Sequence, residues 1–262
     1  MTAPSASAAP PVEVVASRLL HRFPHGFSTR RGGVSPAPWD SLNLGGAVGD
    51  EPSRVAENWR LLEEATGLSF ARVRQVHGAR VVTAEGPCAP CDEADAVVSR
   101  TSGVAACVAV ADCVPVLIAD PASGAVAAVH AGWRGTVARA AAAAVEALAA
   151  RGGSRPRDLL AAIGPSIGPC CYEVSHELAA RFEDAFGPGV VDRRPAPMLD
   201  LWEANARALG AAGLLPDRID RLARCTACEQ RLFFSHRRDA GATGRQAAWI
   251  APPPDIAGGA VP

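Results

Sequence analysis

Two apolar runs dominate the middle of the chain, residues 104–111 and 114–119, and a third at 125–130 follows the turn signal Asp120-Pro121-Ala122-Ser123-Gly124. All three are built from Val, Ala, Leu and Ile, the pattern of strands covered on both faces. Residues 95–99 and 159–163 read as shorter strands of the same kind, and 72–82 as a strand interrupted at His77-Gly78. Helical signals fill the intervals. Asp50 as cap, Pro52 at an early position and Gly67 as stop bound a helix reaching about Thr66. Residues 136–150 predict an Ala-rich helix ended by Gly152-Gly153, Ser175 caps a helix to about Phe186, and Asp200 with Glu203 forms a capping box for one to about Gly210. Further strands are expected near 218–223, 233–235 and 246–250, and residues 27–44, dense in Gly, Ser and Arg, predict a structured loop.

This alternation carries no repeat and no clear linker, so it predicts one domain of mixed α and β elements over residues 12–251. The Pro/Ala/Gly-rich ends, 1–11 and 252–262, are expected to be disordered tails. Composition changes the picture in three ways. A net charge of -1 gives no electrostatic footprint for nucleic acid or a membrane surface. The N-terminus lacks the basic start and apolar core of a signal peptide and no window approaches a membrane span, which predicts a cytoplasmic protein with reduced cysteines. All 26 basic residues are Arg, which excludes any mechanism that needs a Lys nucleophile or Schiff base.

The chemistry concentrates at the strand ends. The run 104–111 leads into Asp112-Cys113, and 125–130 ends on His130, just before a helix; His77 interrupts the earlier strand. One thiol and two imidazoles make the three-ligand set of a catalytic zinc site with an open fourth position. The residues alone leave a second chemistry open, a cysteine hydrolase with Cys113 as nucleophile and His130 as base, and a third, a non-enzymatic zinc-dependent scaffold. Asp112 is a candidate general base, or a partner orienting a ligand histidine.

Other groups are less specific. Cys88/Cys91 and Cys225/Cys228 each have zinc-ligand spacing but lie far apart in sequence, and incidental loop cysteines are the favoured reading. Cys170-Cys171, adjacent in sequence, has poor geometry for chelating one ion, and burial is favoured. Arg30-Arg31, Arg134, Arg237-Arg238 and Arg245 form a set able to clamp an anion by forked hydrogen bonds, although salt bridging is the better reading for any one of them.

Read in order, Phe27-Ser28-Thr29-Arg30-Arg31-Gly32-Gly33, Leu42-Asn43-Leu44-Gly45, Gln75-Val76-His77-Gly78, Ala94-Asp95-Ala96, Ala111-Asp112-Cys113-Val114-Pro115, Val129-His130-Ala131-Gly132-Trp133-Arg134-Gly135, Gly164-Pro165-Ser166-Ile167-Gly168, Cys225-Thr226 and Phe234-Ser235-His236-Arg237-Arg238-Asp239 resemble the YfiH family. This is also called the laccase-domain or polyphenol oxidase family, and its members are now regarded as purine nucleoside phosphorylases. The resemblance runs from Phe27 to about Ile250. It implies an α+β fold, mixed β-sheets flanked by helices in a layered single domain. It implies zinc on His77, Cys113 and His130, with copper as the older alternative tied to phenol oxidation. It further implies phosphorolysis of adenosine, inosine and methylthioadenosine, and deamination of adenosine, with nucleoside and phosphate as partners. Asp112 is the candidate proton shuttle, and Arg30, Asn43 and Arg238 are the candidate substrate contacts. Two departures stand out: His236 where the family often has Tyr, and the Cys88–Cys91 loop. Six histidines in the whole chain are few for a laccase, which needs several coppers.

Overall fold

The structure, a computed structural model, describes residues 11–254 apart from 89, 91 and 194. Of the expected tails 1–11 and 252–262, residues 1–10 and 255–262 fall outside the described residues, as does Cys91. In chain order the elements are β1 (Val14–Val15), β2 (His25–Ser28), α1 (Pro52–Thr66), β3 (Ser69–Arg72), β4 (Val81–Ala84), β5 (Ala96–Ser99), β6 (Val104–Val110), β7 (Val114–Ala119) and β8 (Val126–Ala131). They continue as α2 (Trp133–Val137), α3 (Ala140–Gly152), β9 (Leu160–Ile163), α4 (His176–Phe186), β10 (Val191–Asp192), β11 (Met198–Leu199), α5 (Leu201–Ala211), β12 (Ile219–Arg221) and β13 (Gln246–Ile250).

Two mixed sheets stack face to face. One has the order β1-β2-β13-β6-β3 and the other β12-β9-β7-β8-β5-β4. The strand period of two decides which side chains meet. Ala248 and Ile250 of β13 join Val126 and Ala128 of β8 and Leu117 of β7 in the core between the sheets. Their neighbours point away: Ala247 and Trp249 pack with Val55, Trp59 and Leu62 of α1. Val129 and Ala131 pack with Ala141, Val145 and Leu148 of α3 and Phe182 of α4. The result is four layers, α1, sheet, sheet, then α3 to α5, and it explains why β7 and β8 show no polar alternation although they pair antiparallel. The α+β, layered, mixed-sheet expectation holds. No helix of the described residues is long and apolar enough to cross a membrane.

Helix ends follow local chemistry where a side chain is free to act. Ser175 Oγ accepts from Leu178 N at 3.2 Å, Asp200 Oδ1 accepts from Glu203 N at 2.9 Å, and Gly67 closes α1 in the left-handed conformation. Three expectations are corrected. Asp50 does not cap α1: its carboxylate accepts from Ser35 Oγ at 2.6 Å and Asn43 Nδ2 at 2.8 Å, knitting the 29–45 loop, and Glu51 takes the cap position without a side-chain bond to the helix's free N–H groups. The helix expected at 136–150 starts earlier and breaks at Arg139, which is left-handed (φ 60°) with its guanidinium over the Phe186 ring. Residues 233–235 form no strand. Gln246 supplies their partner instead, its side chain bonding both Phe234 N and Phe234 O, so Phe233 and Phe234 are buried in a loop.

Candidate metal centre

Three connections deliver the site to one end of the six-stranded sheet. His130 is on β8, opposite Pro115 of β7; Cys113 sits in the tight β6–β7 turn after Asp112 (φ 81°); His77 is in the β3–β4 loop, itself left-handed (φ 63°). The ligand atoms of His77, Cys113 and His130 all lie within 4.8 Å of one another, and the two imidazoles meet edge to face with centroids 4.8 Å apart.

Asp95, just ahead of β5 and fully buried, organises this triangle. Its carboxylate accepts from His130 Nδ1 at 2.8 Å and from the backbone N–H of His77 at 2.9 Å and Gly78 at 2.6 Å. One acid therefore fixes both the tautomer of His130, leaving Nε2 as the donor atom, and the strained loop carrying His77. Sequence reasoning named Asp112 for the orienting role and passed over Asp95, whose signal was a carboxylate opening an otherwise apolar strand. Gly132 completes the cradle: a Cβ there would stand 2.7 Å from Cys113 Sγ.

The electrostatics match a ligand set. Burial pushes the Cys113 thiol up, but the neighbouring His130 and His77 rings outweigh it and bring it down to about 6. Burial also pushes His130 down, yet the Cys113 sulfur and the Asp95 carboxylate raise it to about 9. A thiolate is the form that binds a soft or borderline ion, and equally the form that acts as nucleophile. One thiolate and two imidazoles, one of them anchored by a carboxylate, fit zinc with its fourth position open.

The donors open onto a cavity of about 830 Å³, within the range of small-molecule sites. The aromatic residues Trp59, Trp133 and Tyr172 line it, each with a guanidinium over its ring, from Arg72, Arg134 and Arg237 respectively, and Arg74 and Arg245 line it too. Asp112 also lines it, and its two oxygens accept from Thr226 Oγ1 and Arg237 N, both at 2.6 Å. The three expected substrate contacts lie elsewhere. Arg30 binds Asp40 and the Gln230 carbonyl, Arg238 binds Asp239 and the carbonyls of Thr226 and Phe233, and Asn43 is buried among Gly45, Asp50 and Arg245 N. Their polar atoms hold loops together and none of the three lines the cavity. Arg237, next to Arg238 in its motif, does, and so does Arg245.

The cysteines outside this centre also depart from expectation. Cys170 and Cys171 are not buried: the first is exposed and the second half-exposed, and both meet Cys228. Cys225 and Cys228 group with them, whereas Cys88 contacts the Arg72 carbonyl.

Comparison with known proteins turns this geometry into a lineage. The profile of a family described as "Multi-copper polyphenol oxidoreductase laccase" matches residues 24–252. The chain belongs to this family. Within the laccase/YfiH family, the purine nucleoside phosphorylase of Deinococcus radiodurans is 43% identical over 234 residues, covering 88% of this chain and 89% of that one. The purine nucleoside phosphorylase YfiH of Escherichia coli is 38% identical over 228 residues, covering 85% and 91%. The crystal structure of YlmD from Geobacillus stearothermophilus superposes with a TM-score of 0.85 at 34% identity, covering 94% of this chain and 97% of that one.

Proposed function

We propose that this member of the YfiH family is a zinc-dependent purine nucleoside phosphorylase. In this reading it converts adenosine, inosine or methylthioadenosine and phosphate to free base and the pentose 1-phosphate. The observation that carries the reading is one cavity that joins the His77–Cys113–His130 donor set to aromatic walls and to several arginines. A purine suits the aromatic faces, and an oxyanion suits the guanidinium groups. Relatives named purine nucleoside phosphorylase, at about this identity and over most of their length, support it.

When bound, zinc supplies a Lewis acid and an acidified water. The rest falls to the chain. Arg134, Arg237 and Arg245 draw phosphate towards the sugar, where an oxygen bonds to the anomeric carbon as the glycosidic C–N bond breaks. The bonding pair leaves with the base, which takes up a proton. Burial weakens the hold of Arg245 on its own proton, while the negative charge of Cys113 and Asp112 opposes this. Asp112 has the role of holding the Thr226–Arg237 segment against the cavity and passing a proton there. Adenosine deamination belongs to the same reading: water would add to the ring carbon that bears the amino group and ammonia would leave, with His77, Cys113 and His130 holding the ion that would acidify that water.

Phenol oxidation by copper is the reading the family description favours. It is less well supported by the donor count, because a multicopper centre needs more imidazoles than His77 and His130. The deciding experiment is turnover by metal-quantified protein on adenosine and inosine, with and without phosphate, beside Cys113→Ala. Free base and ribose 1-phosphate formed only with phosphate and intact Cys113 are expected. No nucleoside turnover by a chain carrying its zinc would overturn the proposal.

A further inference from the structure

Of the seven cysteines outside the centre described above, four have sulfurs that converge. Cys170 and Cys171 end the loop after β9; Cys225 and Cys228 lie in the segment after β12. The two stretches are laced by backbone bonds, Ser166 N to Arg224 O at 3.1 Å and Thr226 N to Ser166 O at 3.0 Å. This brings Cys170 Sγ to 3.5 Å and Cys171 Sγ to 3.4 Å from Cys228 Sγ, and all four sulfurs lie within 4.8 Å of one another.

The spacing decides between the two chemistries open to grouped thiols. A disulfide needs its sulfurs about 2.05 Å apart. Four sulfurs at about 2.3 Å from one tetrahedral zinc stand about 3.8 Å from each other. The observed separations fit the second arrangement, and these cysteines are free thiols. A further contact points the same way: Gly168 N–H donates to Cys225 Sγ at 3.3 Å, the kind of backbone bond that supports a charged sulfur ligand.

We propose that Cys170, Cys171, Cys225 and Cys228 form a second metal site, a tetrathiolate that holds one zinc ion apart from His77, Cys113 and His130. Four protein ligands close the coordination sphere, so the ion is structural. Its place in the fold says what it secures. The Cys170–Cys171 loop leads directly into Tyr172 and carries Ile167, whose N–H donates to the Asp112 carbonyl at 3.0 Å. The Cys225–Cys228 segment carries Thr226, which binds the Asp112 carboxylate. The ion joins two loops that build the cavity wall. With Cys170 and Cys228 exposed, it is within reach of chelators.

The test is metal content of the full-length chain, purified with zinc and reductant, measured per chain for wild type, Cys170→Ser/Cys228→Ser and Cys113→Ala. The double variant is expected to hold one zinc fewer than wild type. Cobalt-loaded wild type and Cys113→Ala should both show the intense bands of a tetrathiolate-bound cobalt, whereas the double variant should keep only the weaker band of the single Cys113 thiolate. Equal zinc in wild type and double variant would overturn the proposal, as would a Cys170–Cys228 or Cys171–Cys228 disulfide in the reduced preparation. Should the double variant fail to fold, alkylation mapping of the wild type decides: labelling of the four thiols only after chelator supports the site, and immediate labelling of metal-loaded protein overturns it. The readout is independent of nucleoside turnover, so it stands or falls separately from the phosphorylase reading.

Discussion

The two sulfur-bearing clusters are built on opposite plans. The cavity cluster mixes one thiol with two imidazoles, draws them from a strand end, a tight turn and a loop, and is braced by the buried carboxylate of Asp95. The surface cluster is all sulfur and sits on two loops laced to each other by backbone bonds, with no carboxylate on its sulfurs among the described residues. The first leaves a coordination position facing a cavity, as chemistry requires; the second uses every position on protein atoms, as a staple requires. Ligand type and support, more than the presence of cysteine, separate a reactive site from a structural one.

The sharpest way to break this contrast is to remove one ligand from each cluster. Cys113→Ala should bring nucleoside turnover to background, while Cys170→Ser/Cys228→Ser should retain measurable turnover; equal losses would erase the distinction. Next in size is the brace. Asp95→Asn keeps the volume but weakens the acceptor for His130 and the His77 loop, and should lower zinc affinity at the cavity centre about 10- to 100-fold in a chelator competition. An unchanged affinity would mean that Asp95 serves folding only.

Gly132→Ala should cost about 1–3 kcal/mol in denaturant unfolding, because its Cβ has no room beside Cys113. The loss should come with weaker zinc binding, and a variant that keeps both would disprove the close packing. Acidity offers a fourth handle. Protons compete with the metal for Cys113, whose thiol is down at about 6, and for His130, which is up at about 9, so zinc affinity should weaken as pH drops below about 9 and more steeply once it passes below about 6. Retention that is flat from about pH 7 to about pH 5 would contradict a thiolate ligand. The smallest effect is a control outside both clusters: Ser175→Ala removes the cap of α4 and should cost about 1 kcal/mol without changing the metal content.

Much of this arrangement is legible in the amino-acid sequence, because it is local. Unbroken apolar runs form β6, β7 and β8, and Ser175, Asp200 and Gly67 end their helices as their side chains dictate. Asp112-Cys113 and His130 stand out because they end those runs. Where local signals fail, a distant partner has intervened. Asp50 is drawn from its cap by Ser35 and Asn43, and Gln246 satisfies Phe233-Phe234 in place of a neighbouring strand.

The amino-acid sequence, then, gives one domain of mixed α and β elements and offers the cavity donors, since hydrophobic period and strand ends are properties of neighbouring residues; the layered mixed-sheet class was implied by the family resemblance. Only the tertiary structure decided which acid braces them, which arginines face the cavity, and that four cysteines form one group. Asp95 and His130 are 35 residues apart and Cys171 and Cys228 are 57 apart. Such pairs meet because stacked sheets return distant segments to the same edge, and no local pattern records that return.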